Sequence, residues 1–279
     1  MRLPIKLNLN YWPKALKKIW ASEVDPRILC GDNVNEISFV NAVSVFKFGK
    51  TFKTTIDWRF PLTINALNYL VCNDLPIILD IGASDGTTSL NVMKSVPYAK
   101  FYVTDLNIEV FFKSFGGMTW FYDNNGSCIL AVNDKFIIYA DIDNAIFPFD
   151  KISQLLIKKG GKINGLSSKI LLINPLLLSL KDKRNIIQKY DIFDVWPNEK
   201  VDVVIAANIL NQGYFDDNKI IQALKNMTFA LNENALIAII DNRPDEQSTI
   251  FKYNEKKMRL VKRINGGTDI EALVLANLG

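Results

Sequence analysis

The pattern of apolar and polar positions changes character near residue 75. Ahead of that point, residues 14–20 (KALKKIW) set Leu16, Ile19 and Trp20 on one helical face among lysines. Residues 28–60 alternate short apolar runs with turn residues, and residues 61–71 predict a helix with proline in its first turn and Leu62, Ala66, Leu67 and Leu70 on one side. Beyond it, residues 75–80 are a short, continuously apolar run ending in a carboxylate and glycines, as in a strand buried on both faces. An ordered series follows. A helix at 84–95, strands at 101–105, 186–191 and 201–206, a helix at 216–231, a strand at 235–241 and a helix at 245–256 lead to a closing pair, 259–264 and 270–276, around Gly266-Gly267. Such alternation predicts an α/β fold with a doubly wound, mostly parallel sheet, its closing pair an antiparallel hairpin at the edge.

One stretch breaks the alternation. Between the second and third strands, residues 107–185 are far more chain than a helical crossover requires. Trp120-Phe121-Tyr122, a turn at 123–126 containing Asn-Gly, the run 128–132, a turn at Asn133-Asp134 and the run 136–140 read as a β-meander. Residues 149–159 and 170–180 read as helices separated by Gly160-Gly161. The expected organisation is an N-terminal accessory or lid segment, 1–74, and a main domain, 75–279, carrying an inserted subdomain at about 107–185.

Composition narrows the chemistry. The 279 residues are 49% hydrophobic, with 33 Lys+Arg against 29 Asp+Glu, which suits a chain that buries a core. The net charge of +4 is too small to argue for nucleic acid. Histidine is absent, which removes the commonest general base, His-dependent triads and imidazole metal sites. Cys30, Cys72 and Cys128 form neither a disulfide framework nor a zinc ribbon, so a reducing, cytoplasmic setting is expected. The most apolar stretch, interrupted by Asn174 and Pro175, is shorter than a spanning helix requires. Lysines and arginines at 252, 256, 257, 259, 262 and 263 read as a solvated face.

The informative motif is Asp80-x-Gly82-Ala83-Ser84-x-Gly86 between a buried strand and a helix. A Gly-rich turn there lets backbone approach a ligand and offers helix N-terminal N–H groups. Dinucleotide sites share that logic, but their first glycine directly follows the strand. A carboxylate ends the strand here instead, suiting a ligand that carries an ammonium. In these residues the chain resembles the class I, Rossmann-like S-adenosylmethionine-dependent methyltransferases, with Ser84 standing where glycine is more usual. The resemblance implies that the turn wraps the methionine part of the cofactor. It makes Asp105, followed by Leu106, the acid that accepts from both ribose hydroxyls. Asp191 becomes the acid facing the adenine amino group, with Asp194 competing for that role and Ile192 against the ring. Asn208, after the fourth strand, falls where the methionine end is met.

The resemblance covers about 75–276 apart from the insertion, and it implies S-adenosyl-L-methionine as cofactor, S-adenosyl-L-homocysteine as product and no metal. The expected reaction is in-line methyl transfer to an O or N atom of a small or lipid- or sugar-linked metabolite, held between the N-terminal segment, the insertion and the fourth-strand loop. Asn211 and Tyr214 are the candidates for substrate contact, and Trp58 and Arg59 for a lid. Rival readings are a protein methyltransferase that docks through the insertion, a binder of S-adenosylmethionine without turnover, and an aminopropyl transferase. Peripheral membrane contact and the oligomeric state stay open.

Overall fold

In the computed structural model the described residues are 3–8, 11, 21–22, 24–31, 34–143, 145–163, 168–180, 184–242 and 245–279. The helix expected at 14–20 lies outside them. Two units divide the chain: Met1–Thr55 with Asn107–Leu176, the meander unit, and Ile56–Leu106 with Leu177–Gly279, the open-sheet unit. Residues 56–74, grouped in the sequence with the N-terminal segment, thus go with the open sheet. In chain order the meander unit begins with β1 (Ile5–Asn8), β2 (Ala21–Ser22), a 3-10 turn at Pro26–Cys30, α1 (Glu36–Val43), β3 (Lys47–Phe48) and β4 (Thr51–Phe52). The open-sheet unit takes up α2 (Pro61–Leu70), β5 (Ile77–Ile81), α3 (Thr87–Ser95) and β6 (Lys100–Asp105). The meander unit resumes with β7 (Glu109–Phe115), β8 (Met118–Tyr122), β9 (Cys128–Val132), β10 (Phe136–Tyr139), α4 (Phe149–Lys158) and β11 (Ser168–Leu171). The unit boundary runs through α5 (Pro175–Ser179). The open-sheet unit then closes with β12 (Asn185–Lys189), β13 (Val201–Ala207), α6 (Asp217–Phe229), β14 (Leu231–Asn242), β15 (Glu246–Asn254), β16 (Lys257–Ile264) and α7 (Glu271–Leu278).

The open sheet runs β12-β6-β5-β13-β14-β15-β16. Its first five strands are parallel, and β15 and β16 add an antiparallel edge. Leu79 and Ile81, Val204 and Ala206, and Ile237 and Ile239 alternate along β5, β13 and β14 and share one cluster with Ile220, Ala223, Leu224 and Met227 of α6. That helical spacing places one apolar stripe against the sheet, each fully buried side chain contributing roughly 1.5–3 kcal/mol. The intervening Ile78, Val203, Ile205 and Ala238 are buried as well, which is why these strands read as continuous apolar runs.

Three expectations are corrected. Residues 245–256 are not a helix but the strand β15, because Thr249, Ile250, Phe251 and Tyr253 suit a pleated surface better than a helix. The edge hairpin accordingly joins β15 to β16 through Glu255 and Lys256, both left-handed with φ of 53° and 61°. Residues 270–276 fall in and around α7, which buries Ile270 and Val274 one turn apart, and Gly266-Gly267 leads into that helix rather than across a hairpin. Residues 170–180 split at Asn174-Pro175. Ile170 and Leu171 belong to β11, paired with β7, and Asn174 Oδ1 accepts from Leu176 N as α5 opens on proline.

In the meander unit the sheet runs β11-β7-β8-β9-β10-β1-β2. Asp123 Oδ1 accepts from Asn125 N and Ser127 N, and Asn133 Oδ1 from Lys135 N and Phe136 N, which fixes the two tight turns around β9. The sheet is covered on both faces. Val110, Phe121, Leu130, Val132, Ile137 and Tyr139 pack with Phe39, Ala42 and Val43 of α1, while Trp120, Tyr122, Ala131 and Ile138 pack with Ile157 of α4.

Candidate functional site

From β5 the chain moves outward through β6 and β12 on one side, and then through β13 and β14 on the other. In open parallel sheets, ligand crevices form at that reversal, outside the carboxyl ends of the strands. The register aligns those ends: Asp80 pairs with Val103 and Ile205, Asp105 with Lys189, and Ala207 with Ile240. The residues singled out in the sequence at 80–86, 105–106, 191–192 and 208–214 therefore lie along one edge of this sheet.

The turn after β5 is built from left-handed backbone at Gly82 (φ 68°), Ser84 (φ 59°) and Gly86 (φ 86°). Ser84 adopts this conformation at some cost, since a Cβ is strained there. The end of β6 holds it in place: Ala83 N donates to Thr104 O at 2.8 Å, and Ser84 N to Asp105 Oδ2 at 2.9 Å. Gly86 has no side chain to cap α3, and the buried Asp85 accepts from Thr87 N instead. Beneath the turn, Asp80 is only 1% exposed and accepts from Ser89 Oγ at 2.5 Å. Burial pushes its carboxyl up to about 7, Ser89 pulls it partly back, and the nearby Asp105 charge raises it further. Asp80 is thus a buried acid under the first turn of α3, not an open one at the strand end.

The other edge residues divide by what their side chains already hold. Asp191 Oδ1 accepts from Phe193 N, whereas Asp194 is exposed and offers its carbonyl to Tyr190 Oη. Ile192 is buried beside Asp191, and Leu106 is exposed beside Asp105. Asn208, left-handed with φ 56°, accepts from Asn242 N through Oδ1, and its own N–H donates to Ile240 O. Asn211 is 4% exposed. Its Oδ1 accepts from Gly213 N and its carbonyl from Tyr214 N and Phe215 N, so this side chain builds the loop. Tyr214 is half-buried and acts electrostatically on Arg59, whose guanidinium is held below its usual range by burial, with Tyr214 opposing the fall. Trp58 is left-handed and exposed, with the Lys94 ammonium 5.8 Å above its ring.

Three further residues matter here that the sequence did not single out. A Cβ on Gly82 would come within 2.5 Å of Ile209 Cγ2, and one on Gly86 within 2.3 Å of Leu177 Cδ2. Both glycines thus sit against apolar side chains at a positive φ where any side chain is strained. Glu246 accepts from Leu62 N, Thr63 N and Thr63 Oγ1 at 3.0, 2.7 and 2.5 Å, capping α2 from the start of β15. Nothing local signals this pairing, because the partners lie more than 180 residues apart. Chemically, the edge offers backbone N–H groups, two partly buried carboxylates and small apolar surfaces, a donor set that fits a ligand with hydroxyl pairs and an amino-acid end. Among the described residues no group of three or more Cys, Asp or Glu is placed to hold a metal ion.

No protein-family model matches the chain, nor does any curated protein sequence. Among solved structures it is similar to S-adenosylmethionine-dependent O-methyltransferases of the class I fold. Human N-acetylserotonin methyltransferase, in complex with S-adenosylmethionine, is 14% identical with a TM-score of 0.33, covering 66% of this chain and 35% of that one. An O-methyltransferase from neocarzinostatin biosynthesis, solved with S-adenosylhomocysteine and 1,4-dihydroxy-2-naphthoic acid, is 12% identical with a TM-score of 0.31, covering 64% and 38%. An O-methyltransferase family protein from Burkholderia thailandensis is 10% identical with a TM-score of 0.31, covering 64% and 36%. The match spans less than two fifths of the length of each of these proteins.

Proposed function

We propose that the open-sheet unit binds S-adenosyl-L-methionine at the carboxyl edge of its parallel strands. We further propose that the protein transfers the methyl group to an O or N atom of a small or lipid- or sugar-linked metabolite, leaving S-adenosyl-L-homocysteine. The observation that carries this reading is the left-handed Gly82–Ser84–Gly86 turn at the sheet's reversal point, tied to Asp105 by the Ser84 N–H. S-adenosyl-L-methionine, when bound, supplies a methyl group already activated on a sulfonium.

The chain's own part is to bind and orient. An ionised carboxylate offers about four lone-pair sites, so Asp105 keeps capacity for a pair of ribose hydroxyls after accepting from Ser84. The turn from Gly82 through Ala83 to Gly86 would face the methionine part. Asp191, held in orientation by Phe193 N, and Ile192 would receive the adenine, with Leu106 against its edge and Asn208 near the methionine end. With no histidine in the chain, any proton removal falls to another group, and Tyr214 is the candidate carried by the fourth-strand loop. Positioning and exclusion of water then carry most of the rate. The second reading, a cofactor binder without turnover, is favoured by Asn211, whose side chain is already committed to its own loop.

Calorimetric titration tests the reading. Both S-adenosylmethionine and S-adenosylhomocysteine should bind, and Asp105→Ala should weaken both by about tenfold or more, the worth of hydrogen bonds to a charged group. Absence of heat with either, from a chain whose melting is normal, overturns it.

A further inference from the structure

Independently of that reading, the outer face of α4 has the chemistry of a membrane-docking surface. The inner face is fixed. Ser153 and Ile157 are buried against the meander sheet, and Tyr122 Oη donates to Gly160 O at 2.9 Å just past the helix. Gly160 approaches Trp120 so closely that a Cβ there would lie 2.5 Å from the ring. With the helix pinned this way, and about 100° between successive residues, Lys151, Ile152, Leu155, Lys158 and Lys159 all point away from the sheet. Leu155 is 63% exposed and Ile152 41%, and Phe147, just ahead of the helix, is 77% exposed. Lys162 adds a further exposed cation after Gly160-Gly161. From 145 to 163 the only acid is the half-buried Asp150, against four lysines.

None of those four lysines has a carboxylate within ion-pair distance among the described residues, whereas Lys169 of the same unit pairs with Glu109 at 3.1 Å. A solvated helix face would not need three large apolar side chains standing among its cations. A phosphodiester backbone would contact the lysines and gain nothing from Phe147, Ile152 and Leu155. An anionic bilayer uses both: the lysines meet headgroup charge while their stems and the apolar side chains enter the interface. We propose that the α4 face docks the protein on anionic lipid surfaces, lying in the interface without spanning it.

The test uses the full chain with vesicles of phosphatidylcholine alone and with about 30 mol % phosphatidylserine, in a co-sedimentation assay at low and high salt. Binding should appear with the anionic vesicles only and fall with salt. The triple variant K151Q/K158Q/K159Q should lower it by about a hundredfold, each lysine near the surface being worth roughly fivefold. Because charge alone can attract a vesicle, Ile152→Ser with Leu155→Ser is the second variant, and it should lower binding about tenfold or more. Both sets change exposed positions, so unchanged melting temperatures are expected and confirm folding. No sedimentation with anionic vesicles overturns the proposal. So does binding that neither variant alters, or self-association without lipid that the serine variant abolishes, which would assign the face to a second copy.

Discussion

Two buried carboxylates, one in each unit, are shifted in opposite directions. In the meander unit Asp25 is 4% exposed, and burial alone would raise it. The Arg27 guanidinium, the Asn8 amide and the Arg27 backbone N–H together hold it below its ordinary value instead. Asn8 also donates to Asn133 O, so the Asn8–Asp25 pair ties β1, the 3-10 turn and the β9–β10 turn together. In the open-sheet unit Asp80 is as deeply buried, but it meets only the Ser89 hydroxyl among the groups that favour its charge, and it rises to about 7. One acid stabilises the architecture through its charge, and the other is a charge the architecture tolerates. The topologies explain where each stands. The meander brings Asn8, Asp25 and Arg27 against the β9–β10 turn, so the acid there finds cationic and amide donors, while the parallel strands all end at one edge, where Asp80 and Asp105 lie near each other.

The largest test of this contrast is pH-dependent. Asp80 has a folded-state value near 7 against 3.8 in the unfolded chain. Below about pH 4 both states hold the proton, and the residue contributes nothing to the difference. Between the two values the native state keeps a proton that the unfolded state has released, so stability falls as pH rises, reaching a cost of roughly 4 kcal/mol above pH 7. Asp80→Asn should therefore stabilise the protein at pH 8 by up to that amount and change little at pH 4. Asp25, lowered, behaves in the opposite sense: its stabilisation is present above the unfolded value and is lost as pH falls through the folded one. Asp25→Asn should cost about 2–3 kcal/mol at pH 7, because Arg27 loses its buried acceptor. Chemical denaturation of both variants at pH 4 and 8 checks the pair. Equal pH profiles for the two would dissolve the contrast.

A middle-sized effect concerns the turn above Asp80. Gly82→Ala brings a Cβ to positive φ and to 2.5 Å from Ile209 Cγ2, which should cost about 2–4 kcal/mol. Ile209→Ala opens the space without changing φ, so the double variant should recover about 1 kcal/mol or more relative to additivity. Strict additivity would show that φ alone demands the glycine. Either result leaves the tight turns of the meander as the reference, since a Cβ added at Gly116 or Gly117 would meet nothing within 4 Å and only their φ of 59° and 72° speaks for glycine.

What could be read in advance follows the same division. Strands buried on both faces, such as Ile77–Ile81 and Val201–Ala207, declare themselves as unbroken apolar runs, and the Gly82–Gly86 turn and Asp105 stand out because local sequence fixes them. Ile209 and Leu177 do not stand out, because nothing in an isoleucine or leucine marks it as the partner of a glycine far away in the chain. Residues 245–256 read as a helix from their place in the strand–helix alternation, after the strand at 235–241. Their partners in β14 and β16, which decide for a strand, are tertiary information. The grouping of the N-terminal strands with the later meander rests on pairings such as Ile5 with Ile138, which no short window contains.

The smallest effect is the most direct comparison of the two units, because each carries a helix cap of the same geometry. Asn35 Oδ1 accepts from Ser38 N at 2.9 Å ahead of α1, and Asp216 Oδ1 accepts from Lys219 N at 2.9 Å ahead of α6. Replacing either by alanine should cost about 1 kcal/mol, the ordinary worth of such a cap. The charge separates them. Asp216→Asn keeps an acceptor of the same shape and removes only the attraction to the helix N-terminus, so it should cost about 0.3–1 kcal/mol at low salt and less as salt is raised. Asn35→Asp adds the charge ahead of α1, where Glu36 follows the cap as Asp217 does in α6, so a gain of the same size, about 0.3–1 kcal/mol at low salt, is expected. Thermal melts of the two variants at low and high salt read this difference. A salt-dependent loss for Asp216→Asn mirrored by a salt-dependent gain for Asn35→Asp would show that the two caps obey one local electrostatic rule, whereas a change at α6 alone would show that anionic charge at this open-sheet loop acts beyond its own helix.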